Sequence, residues 1–214
     1  MNERTTGLIL RTRPLTETSL IVHWLTPDLG RLATVAKGAR RPKSPLRGQL
    51  DLFYLAEFSF ARSRRSELHT LREVRLRETH PVLRQDWRKL QQVSYCAALV
   101  EQTTETDTPL PGAFELLLGL VDYLSPHPAE PKAVFAFEMK LLQESGLKPD
   151  FSTGRLSEGG KQILQRLLES DWPALARLRL SAVQVTELRQ FLHGFLIYHL
   201  GRTPGGRNTA LQLE

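Results

Sequence analysis

The sequence predicts an α+β protein, with an N-terminal five-stranded β-barrel of the OB-fold type followed by an all-α helical domain. Three observations predict it. Roughly the first 80 residues are short apolar or alternating segments separated by turn residues. After Pro81 the apolar spacing changes to steps of three and four. Positive charge follows the same division: residues 1–80 hold 15 Lys and Arg against 8 Asp and Glu, which leaves 14 against 15 in residues 81–214. The expected organisation is therefore a nucleic-acid-binding barrel over 1–80 and a near-neutral helical domain over 81–214.

Gly7-Leu8-Ile9-Leu10-Arg11-Thr12-Arg13 is an apolar run stopped by Pro14. Ser19 to Leu25 is rich in β-branched and aromatic residues, and Pro27-Asp28-Leu29-Gly30 follows with turn chemistry. From Gly30 to Lys37, Leu32, Thr34 and Ala36 share one face and Arg31, Ala33, Val35 and Lys37 the other. Leu52 to Ala61 alternates again, with Leu52, Tyr54, Ala56, Phe58 and Phe60 together, and Glu67 to Val74 reads as a fifth strand. Five short strands at this spacing favour a closed barrel, because closure removes the unpaired edges of a small sheet.

Leu83, Trp87, Leu90, Ser94, Ala97 and Ala98 trace one apolar face of a helix over residues 83–105. Further helices are predicted at 112–124, 130–145, 157–169 and 182–200, with Gly146 and Gly201 as C-terminal caps and Ser157 and Ser181 at helix starts. The tail from Arg202 to Glu214, opening with Thr203-Pro204-Gly205-Gly206, reads as disorder-prone. The single cysteine, Cys96, excludes a disulfide framework and a multi-cysteine zinc site, and it fits a small buried hydrophobe. The first residues do not resemble a signal peptide, and no run of about 18 apolar residues occurs, so a cytoplasmic protein without a membrane span is expected.

The densest chemical feature is Lys37-Gly38-Ala39-Arg40-Arg41-Pro42-Lys43-Ser44-Pro45-Leu46-Arg47-Gly48. It places Lys37, Arg40, Arg41, Lys43 and Arg47 in a Gly/Pro-punctuated connection between two predicted strands, where they can reach phosphates. A charge run by itself is ordinarily a solvated surface. Two more clusters on the same barrel, Arg11 with Arg13 and Arg62 with Arg64 and Arg65, shift the reading toward DNA binding. Barrels of this kind combine a basic groove with rings that stack on bases, at about 1–3 kcal/mol per base. Trp24, Phe53, Tyr54, Phe58 and Phe60 are the available rings; most belong to the core, and Phe53 and Tyr54 stand closest to the basic loop in sequence.

Enzymatic motifs fail on inspection. Gly38-x4-Lys43-Ser44 lacks the glycine before its lysine, and Pro42 removes an N–H from any phosphate cradle. Gly154-x4-Gly159-Gly160-Lys161 is followed by Gln162 where a magnesium-binding hydroxyl belongs. The six histidines never form HExxH. No catalytic residue, metal or cofactor is predicted. A DNA-binding protein is the leading expectation, with an RNA-binding or ribosome-associated OB-fold protein as the alternative and a protein-interaction scaffold as a third.

Taken together, three strings resemble the RecO family of bacterial recombination and DNA-repair mediators. They are Gly7-Leu8-Ile9-Leu10-Arg11-Thr12-Arg13-Pro14-Leu15-x-Glu17-Thr18, then Leu25-Thr26-Pro27-x-x-Gly30-Arg31 with Ala36-Lys37-Gly38-Ala39-Arg40-Arg41-Pro42-Lys43-Ser44, and finally Leu141-Leu142-x-x-x-Gly146-Leu147-x-Pro149. The resemblance implies an OB-fold followed by a helical domain that binds single- and double-stranded DNA. It also implies annealing of complementary strands, including strands coated by single-strand-binding protein, whose C-terminal tail docks on the helical domain. With RecR, such a protein assists loading of the RecA recombinase, which implies association with the nucleoid. Two departures stand out. Many relatives carry a four-cysteine zinc element after the third string, whereas Asp150 to Gly160 holds no cysteine, so zinc is not carried over. A Lys-Ser-Arg-like string often follows the last long helix, whereas here Pro204-Gly205-Gly206-Arg207 follows Tyr198-His199-Leu200-Gly201.

Overall fold

A computed structural model of the chain describes residues 2–147 and 156–212. Gly154 and most of the Asp150–Gly160 connection lie outside the described residues. Five strands, β1 (Asn2–Pro14), β2 (Leu20–Thr26), β3 (Gly30–Ala36), β4 (Leu55–Ala61) and β5 (Leu68–Glu78), close into a barrel in the order β1-β2-β3-β5-β4. β1 is long enough to serve both sides of the closure, since Asn2 to Leu8 pair with β4 and Leu8 to Pro14 pair with β2. β3 and β5 pair in parallel and the other neighbours are antiparallel, so the barrel has the OB-fold connectivity that the strand count suggests.

The alternation of β3 is borne out: Gly30, Leu32, Thr34 and Ala36 face inward. Leu32 and Ala36 meet Ile9, Val22, Trp24, Ala56, Phe58, Phe60 and Leu71 in one apolar core. Trp24 stacks on Phe58 with centroids 4.0 Å apart, Phe60 stacks on His69 at 5.3 Å, and the indole N–H of Trp24 donates to Thr34 Oγ1 at 2.9 Å. The only polar atom of the indole is thereby satisfied inside the barrel. Gly30, which has φ +69° and opens β3, lies so close to the Thr108 backbone that any side chain would collide with it.

β4 begins three residues later than the alternation predicted, and this reverses the reading of Phe53. Phe53 adopts φ +59° ahead of the strand, donates its N–H to Ile9 O at 2.8 Å and accepts from His80 Nδ1 at 2.6 Å. The left-handed backbone turns its ring inward, leaving it 1% exposed.

Eight helical segments follow among the described residues: α1 (Val82–Gln85), α2 (Trp87–Thr103), α3 (Pro111–Leu124), α4 (Pro131–Glu144), α5 (Glu158–Glu169), α6 (Trp172–Leu175), α7 (Ala182–Leu200) and α8 (Arg207–Ala210). Ser157 and Ser181 cap α5 and α7 from their side chains, Ser181 within a full capping box. Gly146 and Gly201 take φ +72° at helix ends as expected. No described helix is long and apolar enough to cross a membrane.

The chain divides into two compact units. One comprises Met1–Pro81 with Thr104–Glu115, the other Val82–Thr103 with Leu116–Glu214. In the first, Arg31 donates to Thr104 through Nε at 2.7 Å to Oγ1, and Asp107 N–H donates to Arg31 O at 2.9 Å. In the second, α4 is the central element and packs against α2, α5 and α7. Phe135, Phe137 and Met139 of α4 are fully buried, as is Cys96 of α2.

The tail departs from its disorder-prone reading. Arg207 forms a fork on buried Glu138, Nε to Oε1 at 2.7 Å and Nη2 to Oε2 at 2.9 Å, while Tyr95 donates its hydroxyl to the same carboxylate at 2.6 Å. Gln92 donates to Ala210 O at 3.0 Å, and Ala210 and Leu211 are fully buried. These partners anchor the described part of the tail to α2 and α4.

Candidate nucleic-acid interface

Strand register determines which of the predicted cations come together. Pro14 pairs with Leu20, and Leu20 pairs with Ala36, so the end of β1, the start of β2 and the end of β3 share one rim of the barrel. Arg11 and Arg13 therefore lie just below the rim from which the Lys37 loop departs. Alternation puts them on the same face of β1, and both are exposed.

The basic loop is folded. Successive backbone bonds from Arg41 to Gly38, Ser44 to Arg41, Arg47 to Ser44 and Gln49 to Leu46 wind it into consecutive tight turns. Gly38 at φ +69° and Gly48 at φ +76° supply the left-handed positions. Ala39 is buried, and Leu46 and Leu50 pack against the barrel core, so the apolar residues pin the loop from inside. Arg40 N–H donates to Thr18 O at 3.0 Å, and its guanidinium donates to Thr16 O at 3.2 Å, which ties the loop to the β1–β2 turn. Arg47 donates to Pro42 O at 3.2 Å. Lys37, Arg40, Arg41, Lys43 and Arg47 are all exposed, and none of them pairs with a carboxylate among the described residues. The backbone thus holds five cations in place with charges still available to a phosphate.

His23 reports the sign of this region. It pairs with Arg11 across β1 and β2, and burial together with the charges of Arg11, Arg13 and Arg31 pushes its pKa down to about 4. Arg31 therefore contributes to the positive field at His23, a role that sequence reading missed, since there Arg31 was only an outward-facing strand residue and part of the LTPxxGR string.

The second cluster lies elsewhere. Ala61 pairs with Asn2 and with Thr70, and Asp107 bonds beside the start of β3 at Arg31, so Arg62 sits at the opposite end of β3 from Lys37. Arg62 also pairs with Glu3 at 2.7 Å and Asp107 at 2.8 Å, and these carboxylates hold its proton more firmly than usual. Arg64 and Arg65 are exposed in the same connection. The outer face of β1, β4 and β5 offers no single sign of charge, since Arg4 pairs with Glu57 and Glu73, and Arg77 with Glu57.

The two proposed stacking rings diverge. Phe53 is corrected: it is a core residue with no face available to a base. Tyr54 is half-buried against the core. Among the described residues no group of three or more His, Cys, Asp or Glu could hold a metal.

Comparison with known proteins agrees with this architecture. Residues 1–80 match the family described as Recombination protein O N terminal, and residues 84–154 match Recombination protein O C terminal. The DNA repair protein RecO of Alkaliphilus metalliredigens is 32% identical over 151 residues, covering 70% of this chain and 61% of the relative. That of Rhodopirellula baltica is 32% identical over 143 residues, covering 67% and 53%. A longer match is to the Anaeromyxobacter protein of the same name, 27% identical over 94% of this chain and 93% of the relative. The first two matches thus span less than two thirds of those relatives. With both terminal family profiles matched in order across a barrel and a helical unit, the chain belongs to the RecO family of recombination proteins.

Proposed function

We propose that this chain is a non-catalytic DNA-repair mediator that binds single- and double-stranded DNA and anneals complementary strands. In this reading it acts on strands coated by single-strand-binding protein and, with RecR, assists loading of RecA at the nucleoid. The observation that carries the reading is the folded basic loop: five exposed cations held by backbone turns at the rim where Arg11 and Arg13 end β1. Family membership supports the repair setting, since the relatives carry the name DNA repair protein. Tyr54 is the ring proposed to meet a base, and the exposed Arg64 and Arg65 extend the proposed contact to the far end of the barrel.

The loop reading is tested by replacing Arg40, Arg41, Lys43 and Arg47 together with alanine. Binding should weaken on all sequences alike, and the dependence of log affinity on log salt should flatten by about 0.7 per lost contact on single strands. An unchanged salt slope removes the loop from the interface. An annealing assay, with and without single-strand-binding protein, tests the mediator role, and an RNA strand of the same sequence as competitor separates DNA from RNA preference.

A further inference from the structure

Trp87 begins α2, and its apolar spacing grouped it with Leu83 and Leu90 as a buried position. Leu83 is 1% exposed, but Trp87 is 60% exposed. The other two tryptophans are sheltered: Trp24 is fully buried, and Trp172 lies over Gly119 with its ring 5.4 Å from that of Tyr123. An indole left in water forgoes a large burial gain, which a ring stacked on it would recover. Its neighbours along the chain, Arg84, Gln85 and Arg88, are exposed and polar, unlike an apolar patch of the kind that covers a protein interface.

The cation beside the indole indicates the occupant. The Arg88 guanidinium lies 5.6 Å from the indole centroid. Asp86 separates α1 from α2, and its Oδ1 accepts from the Arg88 N–H at 3.0 Å at the start of α2. A flat aromatic face beside a guanidinium group complements a flat base joined to a phosphate, whereas it has little to offer an acidic peptide that lacks a ring. We infer that Trp87, with Arg88, is a second nucleic-acid contact, in which the indole stacks on an unpaired base and the arginine meets its neighbouring phosphate. The inference rests on the DNA-binding reading above and extends it to the helical unit.

The test uses the full chain and two ligands, an oligothymidylate of about 16 nucleotides and an abasic deoxyribose-phosphate strand of the same length. Trp87→Ala should weaken binding to the oligothymidylate at least about fivefold and leave the abasic strand unaffected. Trp87→Phe, which keeps a ring, should retain most of the affinity. Saturating oligothymidylate should quench the emission of the parent chain, and Trp87→Phe should lose most of that quench. Arg88→Ala should weaken both ligands. The thermal unfolding midpoint of each variant, unchanged for so exposed a site, verifies the fold. Equal binding of parent and Trp87→Ala to the oligothymidylate overturns the inference, and so does an equal loss on both ligands, because the indole would then not be reading bases. If the quadruple loop variant leaves the salt slope intact while the Trp87 effect persists, the loop reading fails and this one stands. The converse result sinks this one alone.

Discussion

His23 ties a single side chain to the field of the interface. Its imidazole is held neutral by burial first and then by Arg11, Arg13 and Arg31. Replacing Arg11 and Arg13 with glutamine should raise its pKa part of the way from about 4 toward 6.5, as read from the ring-proton shifts in an NMR titration. A titration midpoint that did not move would mean the arginines do not face the ring. The linkage to stability has a fixed sign. The depressed value means that the unfolded chain binds the proton more readily. The stabilisation is therefore complete above about pH 6.5 and is lost as the pH falls toward 4. Nothing in the sequence marks this site, because register alone sets His23 opposite Arg11. Phe58 and Phe60, by contrast, were legible as core from strand alternation, while Phe53 was not. Its φ of +59° breaks the parity on which such reading depends, and a phenylalanine gives no warning of a left-handed backbone.

At the level of elements, the five strands and the long helices were readable because period two and period 3.6 each leave a repeating mark. The short α8 was not. Thr203-Pro204-Gly205-Gly206 has the composition of a flexible segment, and the partner that orders Arg207 lies 69 residues away on α4. One signal was available: Glu138 interrupts the apolar run Phe135-Ala136-Phe137, and a carboxylate so placed needs a cation. Arg207→Ala should destabilise the chain by about 3–5 kcal/mol, because it strands Glu138 at zero exposure. A double replacement, Glu138→Met with Arg207→Met, should recover most of that loss, since the buried charge is then absent. Urea denaturation of the three chains measures both effects. A single variant as stable as the parent would show that the tail is not anchored through this pair.

For the whole molecule, the charge partition changes once the chain is divided by contacts instead of at Pro81. Thr104–Glu115 joins the barrel and brings Glu105, Asp107 and Glu115, so the barrel unit carries a net +4 and the helical unit +2. The sequence cut had assigned the entire excess to the first 80 residues. What distinguishes the barrel is therefore where its charges lie. Asp107 and Glu3 neutralise the Arg62 end, while the loop end keeps its five cations unpaired among the described residues. The same division makes fragments poor tools, because a chain cut at Pro81 removes Thr104 from Arg31 and Asp107 from Arg62. The distribution is better tested in the full chain with charge sets matched in size. Neutralising Arg64 and Arg65 should flatten the salt slope for single-stranded DNA less than neutralising Arg41 and Lys43, since the first pair adjoins compensating carboxylates. Neutralising Arg177 and Arg179, which are exposed on the helical unit and are not among the predicted contacts, should leave the slope unchanged. If all three pairs lowered the slope equally, binding would follow net charge alone, and the rim of the barrel would have no special claim on the DNA.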